Sequence, residues 1–151
     1  MVDVDVEVIW KMSNLKKKRV KSREQDPIER GKNFKEVSLG YGEKEALEEA
    51  NRCLGCKNPK CVEGCPVSVN IPSFISFIKK GDFSASFKEL SKYNALPAVC
   101  GRVCPQESQC EGKCVLGIKG EAVAIGQLER FIADFARNNK LSSLKKSEKI
   151  L

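Results

Sequence analysis

Several features on which common functional classes depend are missing from this chain. The 151 residues include no histidine, the side chain whose charge changes most readily near neutral pH. There is no G-x-G-x-x-G segment after a predicted strand and no P-loop, so neither nucleotide-binding signature is present. No stretch approaches the roughly 20 apolar residues that a membrane-spanning helix needs. We therefore expect a soluble, cytoplasmic chain that is not catalytic by itself.

Cysteine, by contrast, is abundant, and its eight residues fall in two runs. The runs are Cys53-x2-Cys56-x4-Cys61-x3-Cys65-Pro66 and Cys100-x3-Cys104-Pro105-x4-Cys110-x3-Cys114. A single tetrahedral metal uses only four ligands, so eight cysteines indicate two metal centres. A run that begins with C-x2-C and ends on Cys-Pro is typical of bacterial two-cluster ferredoxins, in which the last cysteine binds the other cluster. The spacing therefore favours two [4Fe-4S] clusters.

A disulfide framework is one alternative use of these cysteines. Disulfides need an oxidising compartment, which secreted proteins reach through a signal peptide. The first ten residues, MVDVDVEVIW, are acidic and alternating, and they contain no basic region, apolar region or cleavage site of that kind. The sequence therefore favours metal ligation over disulfides.

Structural zinc is the stronger alternative, because C-x2-C is shared with zinc ribbons and an all-cysteine zinc site needs no histidine. Zinc sites usually pair two C-x2-C knuckles, whereas this chain has one, at Cys53 and Cys56. The other gaps and the Cys-Pro steps fit iron–sulfur ligation better. The alternative function is thus a zinc-stabilised interaction module, with four-cysteine sites and a basic arm that binds nucleic acid or protein.

The net charge of +7 is concentrated in one segment. Seven basic residues occur there with no acid between them: Lys11, Lys16, Lys17, Lys18, Arg19, Lys21 and Arg23. No aromatic residue interleaves them, which argues against nucleic acid and favours a solvated, poorly ordered arm. We predict a basic N-terminal arm over residues 1–29, a cysteine-containing domain over 30–138 and a tail or linker over 139–151.

Helical patterns surround the two cysteine runs. Four helices are predicted: Glu43 to Arg52, ending at Cys53; one that begins at Asn70-Ile71-Pro72 and stops at Gly81; one capped by Ser84 that runs to about Tyr93; and one from Glu121 to about Asn138. The cysteine runs themselves are rich in glycine and proline and are predicted as loops. Almost no β pattern occurs outside Val2 to Ile9, so the predicted fold class is mainly α.

The last predicted helix carries an apolar stripe. Its members are Ile125, Leu128, Phe131, Ile132 and Phe135, with Gln127, Arg130, Asp134 and Arg137 opposite. Glu129 lies about 40° from Ile125 and about 60° from Ile132, at the edge of the stripe. Periodicity alone slightly favours a Glu129 carboxylate that reaches solvent past this edge.

Three longer stretches resemble a known family. They are Arg52-CLGCKNPKCVEGCPVSVNIPSFISFIKKGDF, Leu96-PAVCGRVCPQESQCEGKC and Ile125-GQLERF. Together they resemble the N-terminal iron–sulfur domain of the small (beta) subunit of NADPH-dependent glutamate synthase. The same domain occurs in the large subunit of the NADH-dependent ferredoxin:NADP oxidoreductase and at the N-terminus of dihydropyrimidine dehydrogenase. The resemblance covers roughly residues 30 to 138.

This resemblance implies an α-helical ferredoxin-like domain wrapped around two [4Fe-4S] clusters with crossed ligation. One cluster would be bound by Cys53, Cys56, Cys61 and Cys114, and the other by Cys65, Cys104, Cys110 and a side chain that is not cysteine. In dihydropyrimidine dehydrogenase that side chain is a glutamine in an Ile-Gly-x-Leu-Gln stretch, and the matching position here is Glu129. A simple cysteine count instead makes Cys100 a ligand and Glu129 an ordinary acid. The resemblance favours Glu129 and leaves Cys100 beside the cluster.

The resemblance also implies a role in electron transfer. In the family, NADPH reduces a flavin held by Rossmann-type domains that follow this one, and the clusters connect that flavin to a partner subunit or domain. This chain carries no such domains, so FAD and NADPH are expected only on a following domain or a partner. The expected partners are a flavin- and NADPH-binding domain or subunit and the glutamate synthase large subunit or a related redox protein. Both an excised domain and a separate subunit fit the sequence.

Overall fold

The structure is a computed structural model that describes residues 18–141. Within this range the fold is mainly α, as predicted, with seven α-helices and one antiparallel pair of strands. The strands are β1 (Arg23–Glu24) and β2 (Ser38–Gly40). The helices are α1 (Pro27–Arg30), α2 (Glu43–Arg52), α3 (Lys60–Glu63), α4 (Ile71–Lys79), α5 (Phe83–Leu90), α6 (Pro97–Val103) and α7 (Ile125–Asn138). Two 3₁₀ helices, Glu111–Lys113 and Val115–Ile118, precede α7. The β pattern at Val2 to Ile9 lies outside the described residues.

Helices α2 and α4 form where their sequences predict. Helix α2 covers Glu43–Arg52 and places Cys53 at its C-terminal cap. At the start of α4, the Asn70 side chain accepts a hydrogen bond from the Ser73 N–H, and a proline occupies the first turn, where a missing N–H costs nothing. Both helices are therefore fixed by local sequence, and α2 delivers the first cysteine run to its place.

Helix α5 differs from its prediction at both ends. It begins at Phe83 because the Asp82 carboxylate, rather than Ser84, accepts a hydrogen bond from a first-turn N–H, that of Ala85. It ends at Leu90, and Tyr93 is exposed instead of lying on the buried face. The apolar face is consequently shorter than the sequence pattern predicts.

Helix α7 begins at Ile125 and not at Glu121, as was predicted. The physical reason is that the carbonyl oxygens of Glu121 and Ala122 accept hydrogen bonds from the Arg52 guanidinium. These carbonyls are turned toward α2 and are not available to a helical turn. The segment before α7 is thus held in a non-helical form by a side chain from another helix.

The second cysteine run contains a helix where a loop was predicted. Pro97 stands in the first turn of α6, which continues through Cys100 to Val103. Gly101 faces α7 so closely that an added Cβ would lie 2.7 Å from the Arg130 backbone nitrogen. This close crossing explains both the glycine and the burial of Arg130, whose side chain was predicted to be on the polar face. The first run likewise contains a short helix, α3.

The hydrophobic core lies between α2, α4, α5 and α7. Its main members are Ala46, Ala50, Ile71, Phe74, Ile75, Ile78, Phe83, Phe87, Leu90, Leu128, Phe131 and Ile132. Phe83 makes edge-to-face contacts with Phe131 and Phe135, with ring centroids 5.1 and 5.2 Å apart. These aromatic contacts join the start of α5 to α7. Among residues 18–141, no helix has both the length and the apolar character needed to cross a bilayer.

A buried ion pair connects three parts of the chain. Glu49 is fully buried, and its carboxylate accepts hydrogen bonds from the backbone N–H groups of Val20 and Ala124 at 2.7 and 2.8 Å. It also pairs with Arg52 at 2.5 Å. Because burial of an ion pair is favourable only when its hydrogen bonds are satisfied, these contacts fix the segment before β1 and the start of α7 against α2.

The end of the basic segment joins this network. The Arg19 guanidinium pairs with Glu111 at 2.6 Å, and the other oxygen of Glu111 accepts a hydrogen bond from the Gly126 N–H. The solvated arm expected over residues 11 to 23 is therefore not observed at Arg19, and residues 1–17 lie outside the described residues. Glu111 stands between Cys110 and Cys114, so the contact reaches the second cysteine run.

Candidate metal centres

Cysteines from both runs line a first cavity. Its sulfur-bearing residues are Cys53, Cys56, Cys61 and Cys114. The first three belong to the first run, at the end of α2, in the following loop and in α3, whereas Cys114 follows the 3₁₀ helix of the second run. Apolar side chains, among them Ile71, Ile75 and Val123, form much of the remaining wall. Four thiols thus face one largely apolar space.

A second cavity is lined by the remaining cysteines. They are Cys65, Cys100, Cys104 and Cys110, and the carboxylate-bearing Glu129 joins them from α7. Here three cysteines belong to the second run, and one, Cys65, is the last cysteine of the first run. Each cavity therefore takes one cysteine from the opposite run.

The two runs meet through a close backbone contact. Helix α3 packs against the 3₁₀ helix Glu111–Lys113. At the end of α3, an added Cβ on Gly64 would lie only 2.7 Å from the carbonyl oxygen of Gln109. Real Cβ atoms do not approach an oxygen so closely, so the contact requires glycine. Gly64 thereby allows Cys65 to reach the second cavity.

Burial raises the pKa of three thiols of the first cavity, those of Cys53, Cys56 and Cys61. Burial, with a smaller contribution from neighbouring thiolates, raises the pKa of Cys61 to about 12. Burial also raises the pKa of Cys53, although the Gly55 N–H donates to its sulfur and favours the thiolate. Four thiolates would repel one another in this space unless a positive charge lay between them. The donor set therefore fits a cationic iron–sulfur core, which binds thiolates.

The second cavity has the same character with one carboxylate added. Burial raises the pKa of Cys110 to about 12 and that of Cys104 to about 11. Burial also raises the pKa of Glu129 to about 7, although a hydrogen bond from Asn94 opposes this rise. Glu129 thus lines the second cavity together with the thiols and is partly shielded from solvent.

Asn94 lies between the two candidate fourth ligands of this cavity. Its side-chain oxygen accepts a hydrogen bond from the Leu96 N–H at 2.9 Å, which fixes the orientation of the amide. In that orientation the amide nitrogen donates to Glu129 at 2.6 Å, and the oxygen faces the Cys100 sulfur at 3.7 Å. Asn94 thus presents a donor to Glu129 and an acceptor to Cys100.

One known protein family matches most of this chain. The family described as dihydropyrimidine dehydrogenase domain II, 4Fe-4S cluster, matches residues 30–141, which include both cavities. The chain belongs to this family. It is accordingly a 4Fe-4S domain, and the zinc-stabilised module is not favoured.

Individual relatives agree with the family. The small chain of glutamate synthase [NADPH] from Halomonas elongata is 41% identical over 107 residues, which are 71% of this chain and 23% of the relative. The corresponding chain from Escherichia coli is 42% identical over 103 residues, or 68% and 22% of the two chains. The NAD-dependent dihydropyrimidine dehydrogenase subunit PreT from Escherichia coli is 34% identical over 106 residues, or 70% and 26%. The 4Fe-4S domain thus spans about a quarter of the length of these relatives.

The spacing of the thiols bears on the kind of metal group that the 4Fe-4S domain holds. Four ligands of one zinc ion, each at about 2.3 Å from the metal, lie within about 4 Å of one another. Within residues 18–141, no three cysteine or acidic side chains converge in the manner of ligands to a single ion.

Sequence reasoning named all nine side chains that line the cavities with sulfur or carboxylate groups, and it missed two neighbours. Asn94 was not among the predicted site residues, although an asparagine shortly before a proline-started helix often makes specific hydrogen bonds to nearby backbone groups. Lys79 was missed as well, and its Nζ donates to the backbone carbonyl of Cys53. No sequence pattern reveals that contact, because it joins two helices.

Proposed function

We propose that the 4Fe-4S domain holds two [4Fe-4S] clusters, one in each cavity, and relays electrons between a pyridine-nucleotide-linked flavin and a partner in a glutamate synthase-like oxidoreductase. The observation that carries this proposal is the pair of thiol-lined cavities, each built from both cysteine runs. When bound, such a cluster accepts and releases one electron at a time over a wide range of potentials. The chain by itself is proposed to conduct electrons and not to transform a substrate.

The proposed ligand sets follow the two cavities. The first set is Cys53, Cys56, Cys61 and Cys114, and the second is Cys65, Cys104, Cys110 and Glu129. Backbone N–H groups of Gly55, Val62 and Glu111 donate to the sulfurs of the preceding ligands, which lowers the charge that these sulfurs carry. Apolar side chains on the cavity walls shield the ligands partly from water.

Asn94 supports Glu129 over Cys100 as the fourth ligand of the second set. A metal-bound carboxylate is stabilised by the amide N–H that points at it, whereas a thiolate at Cys100 would lie beside an amide oxygen that repels negative charge. The hydrogen bond from the Leu96 N–H fixes the orientation of the amide. Asn94 therefore cannot turn its oxygen toward Glu129 and its nitrogen toward Cys100. Cys100 then remains a thiol beside the cluster.

Two substitutions test this assignment. Cys100→Ser is expected to leave the iron content near that of the wild type, because its sulfur is not a ligand. Glu129→Ala is expected to change the EPR signal of the second cluster, since an oxygen ligand is lost. Iron loss in Cys100→Ser, together with an unchanged spectrum in Glu129→Ala, would restore a scheme in which all eight thiolates are ligands.

The partners of the domain are part of the proposal. The relatives continue for about three quarters of their length beyond the matched region. We place FAD and NADPH on a following domain or a separate subunit, and the other redox partner on a glutamate synthase large subunit or a related protein. The predicted boundaries (1–29, 30–138 and 139–151) and a cytoplasmic location are retained in this proposal, with the end of the first segment bound to the domain through Arg19.

The metal content of the protein tests the proposed function directly. The protein is purified without oxygen, and its absorbance spectrum and its iron, sulfide and zinc contents are measured. We expect a brown protein with about eight irons and eight sulfides per chain, as two cubanes require. A colourless protein with about two zinc ions would contradict the proposal and make the zinc-stabilised module the better description.

A further inference from the structure

The two cavities differ in the positively charged side chains around them. The residues that line the first cavity include Lys60 and Lys113. Those that line the second include no lysine or arginine, and its one acidic side chain, Glu129, is counted among the four proposed ligands. Because a cluster gains one negative charge when it is reduced, neighbouring cations stabilise the reduced state and neighbouring anions destabilise it. The two sites are therefore electrostatically unequal.

Lys79 adds to this difference by a direct contact. It stands in the last turn of α4, half-buried, and its Nζ donates a hydrogen bond to the carbonyl oxygen of Cys53. Its charge also favours the Cys53 thiolate, in opposition to the burial that raises the pKa of this thiol. Lys60, by comparison, pairs with Glu63 at 2.8 Å, which compensates part of its charge. Lys79 thus combines a positive charge with a hydrogen bond to a residue that lines the first cavity.

We propose that Lys79 raises the reduction potential of the first cluster and, because no lysine or arginine lines the second cavity, places it above the potential of the second. This inference rests on the proposed function, because it requires a cluster in each cavity. Lys79 acts through the field of its ammonium group and binds no iron. In a domain that carries a single extra electron, that electron then resides mainly at the first site, beside Cys53.

The same chain supplies a matched control. Lys80 follows Lys79 directly, is exposed, and extends over the Phe77 ring, with Nζ 5.9 Å from the ring centroid. Lys79→Met and Lys80→Met therefore remove the same charge from neighbouring positions, but only the first removes the contact with Cys53. A shift caused by net charge alone would be equal in the two variants.

The experiment is an anaerobic potentiometric titration of the purified protein, followed by EPR. The signal that changes in Glu129→Ala identifies the second cluster, and the other signal belongs to the first. We expect Lys79→Met to move the first midpoint potential to a more negative value and to leave the second nearly unchanged. Lys80→Met should leave both potentials near those of the wild type, and Lys79→Arg should retain most of the wild-type value.

Further variants keep the test decisive if Lys79→Met loses iron. Lys79→Gln removes the charge but keeps a hydrogen-bond donor, so a structural role alone predicts a wild-type potential in this variant, whereas the proposed role predicts a more negative one. An unchanged first potential in Lys79→Met or Lys79→Gln with full iron would overturn the inference and leave the proposed function intact. A wild-type protein without two titrating clusters would overturn both.

Discussion

Replacement of Cys61 by serine is expected to remove the iron of the first cavity, which is about half of the iron in the protein. Cys61 lies in α3, and Cys114, which faces the same cavity, belongs to the other run. A cluster between them links segments that are far apart in sequence, and metal binding of this kind contributes directly to the free energy of folding. We therefore expect a loss of several kcal/mol in the free energy of unfolding, because so small a domain has few other links.

The measurements are iron content and a denaturant unfolding curve, both without oxygen. Cys100→Ser is the matched control, because it makes the same chemical change at a thiol that we do not assign as a ligand. Its iron content and unfolding midpoint should remain close to those of the wild type. Full iron and an unchanged midpoint in Cys61→Ser would refute the assignment of the first ligand set.

Glu49→Ala is expected to lower the free energy of unfolding by about 3–5 kcal/mol, the usual cost of removing one member of a buried ion pair. The substitution removes the carboxylate that pairs with the buried Arg52 guanidinium. It also takes the hydrogen-bond acceptor away from the backbone N–H groups of Val20 and Ala124. We expect the segment before β1 and the start of α7 to loosen together.

Glu43→Ala provides the comparison for this variant. Glu43 is exposed in the first turn of the same helix, where a carboxylate contributes at most about 1 kcal/mol through the helix dipole. Denaturant unfolding of the iron-loaded proteins gives both values, and hydrogen exchange at Val20 and Ala124 reports the local effect. Equal losses in the two variants would show that the buried network contributes little.

The helices that could be predicted from the sequence are those whose ends are set by neighbouring residues. Asn70 caps α4 with its own side chain, and the apolar spacing of α2 and α4 matches the faces that they bury. The mainly α fold class followed from these patterns. The predicted start of α5 was wrong because two nearby residues, Asp82 and Ser84, are both suitable N-caps and the sequence does not say which one is used.

The remaining errors share a cause, which is that distant groups decide the local structure. Glu49 lies on the same helical face as the buried alanines of α2 and was overlooked, because its partners are backbone groups 29 and 75 residues away. The start of α7 depends on carbonyl contacts with Arg52 from another helix. Spacing rules describe one element at a time and contain no information on such contacts.

For the candidate site, the spacing of cysteines gave the residues and the family resemblance gave the grouping. Simple counting could not divide eight thiols between two sites, since the runs exchange one cysteine each. The structure gathers Cys114 with the first run and Cys65 with the second. The proposed choice of Glu129 over Cys100 rests on the orientation of the Asn94 amide, which depends on contacts between separate elements that no spacing rule describes.

The exchange of cysteines between runs has a consequence for how the protein is made. Cys114 is among the last cavity residues to leave the ribosome, and the first cavity is not complete without it. The second cavity waits for Glu129, later still. Under the proposed ligand sets, the first cluster therefore needs a chain extended to Cys114 and the second needs one extended into α7, so neither run by itself holds a complete set.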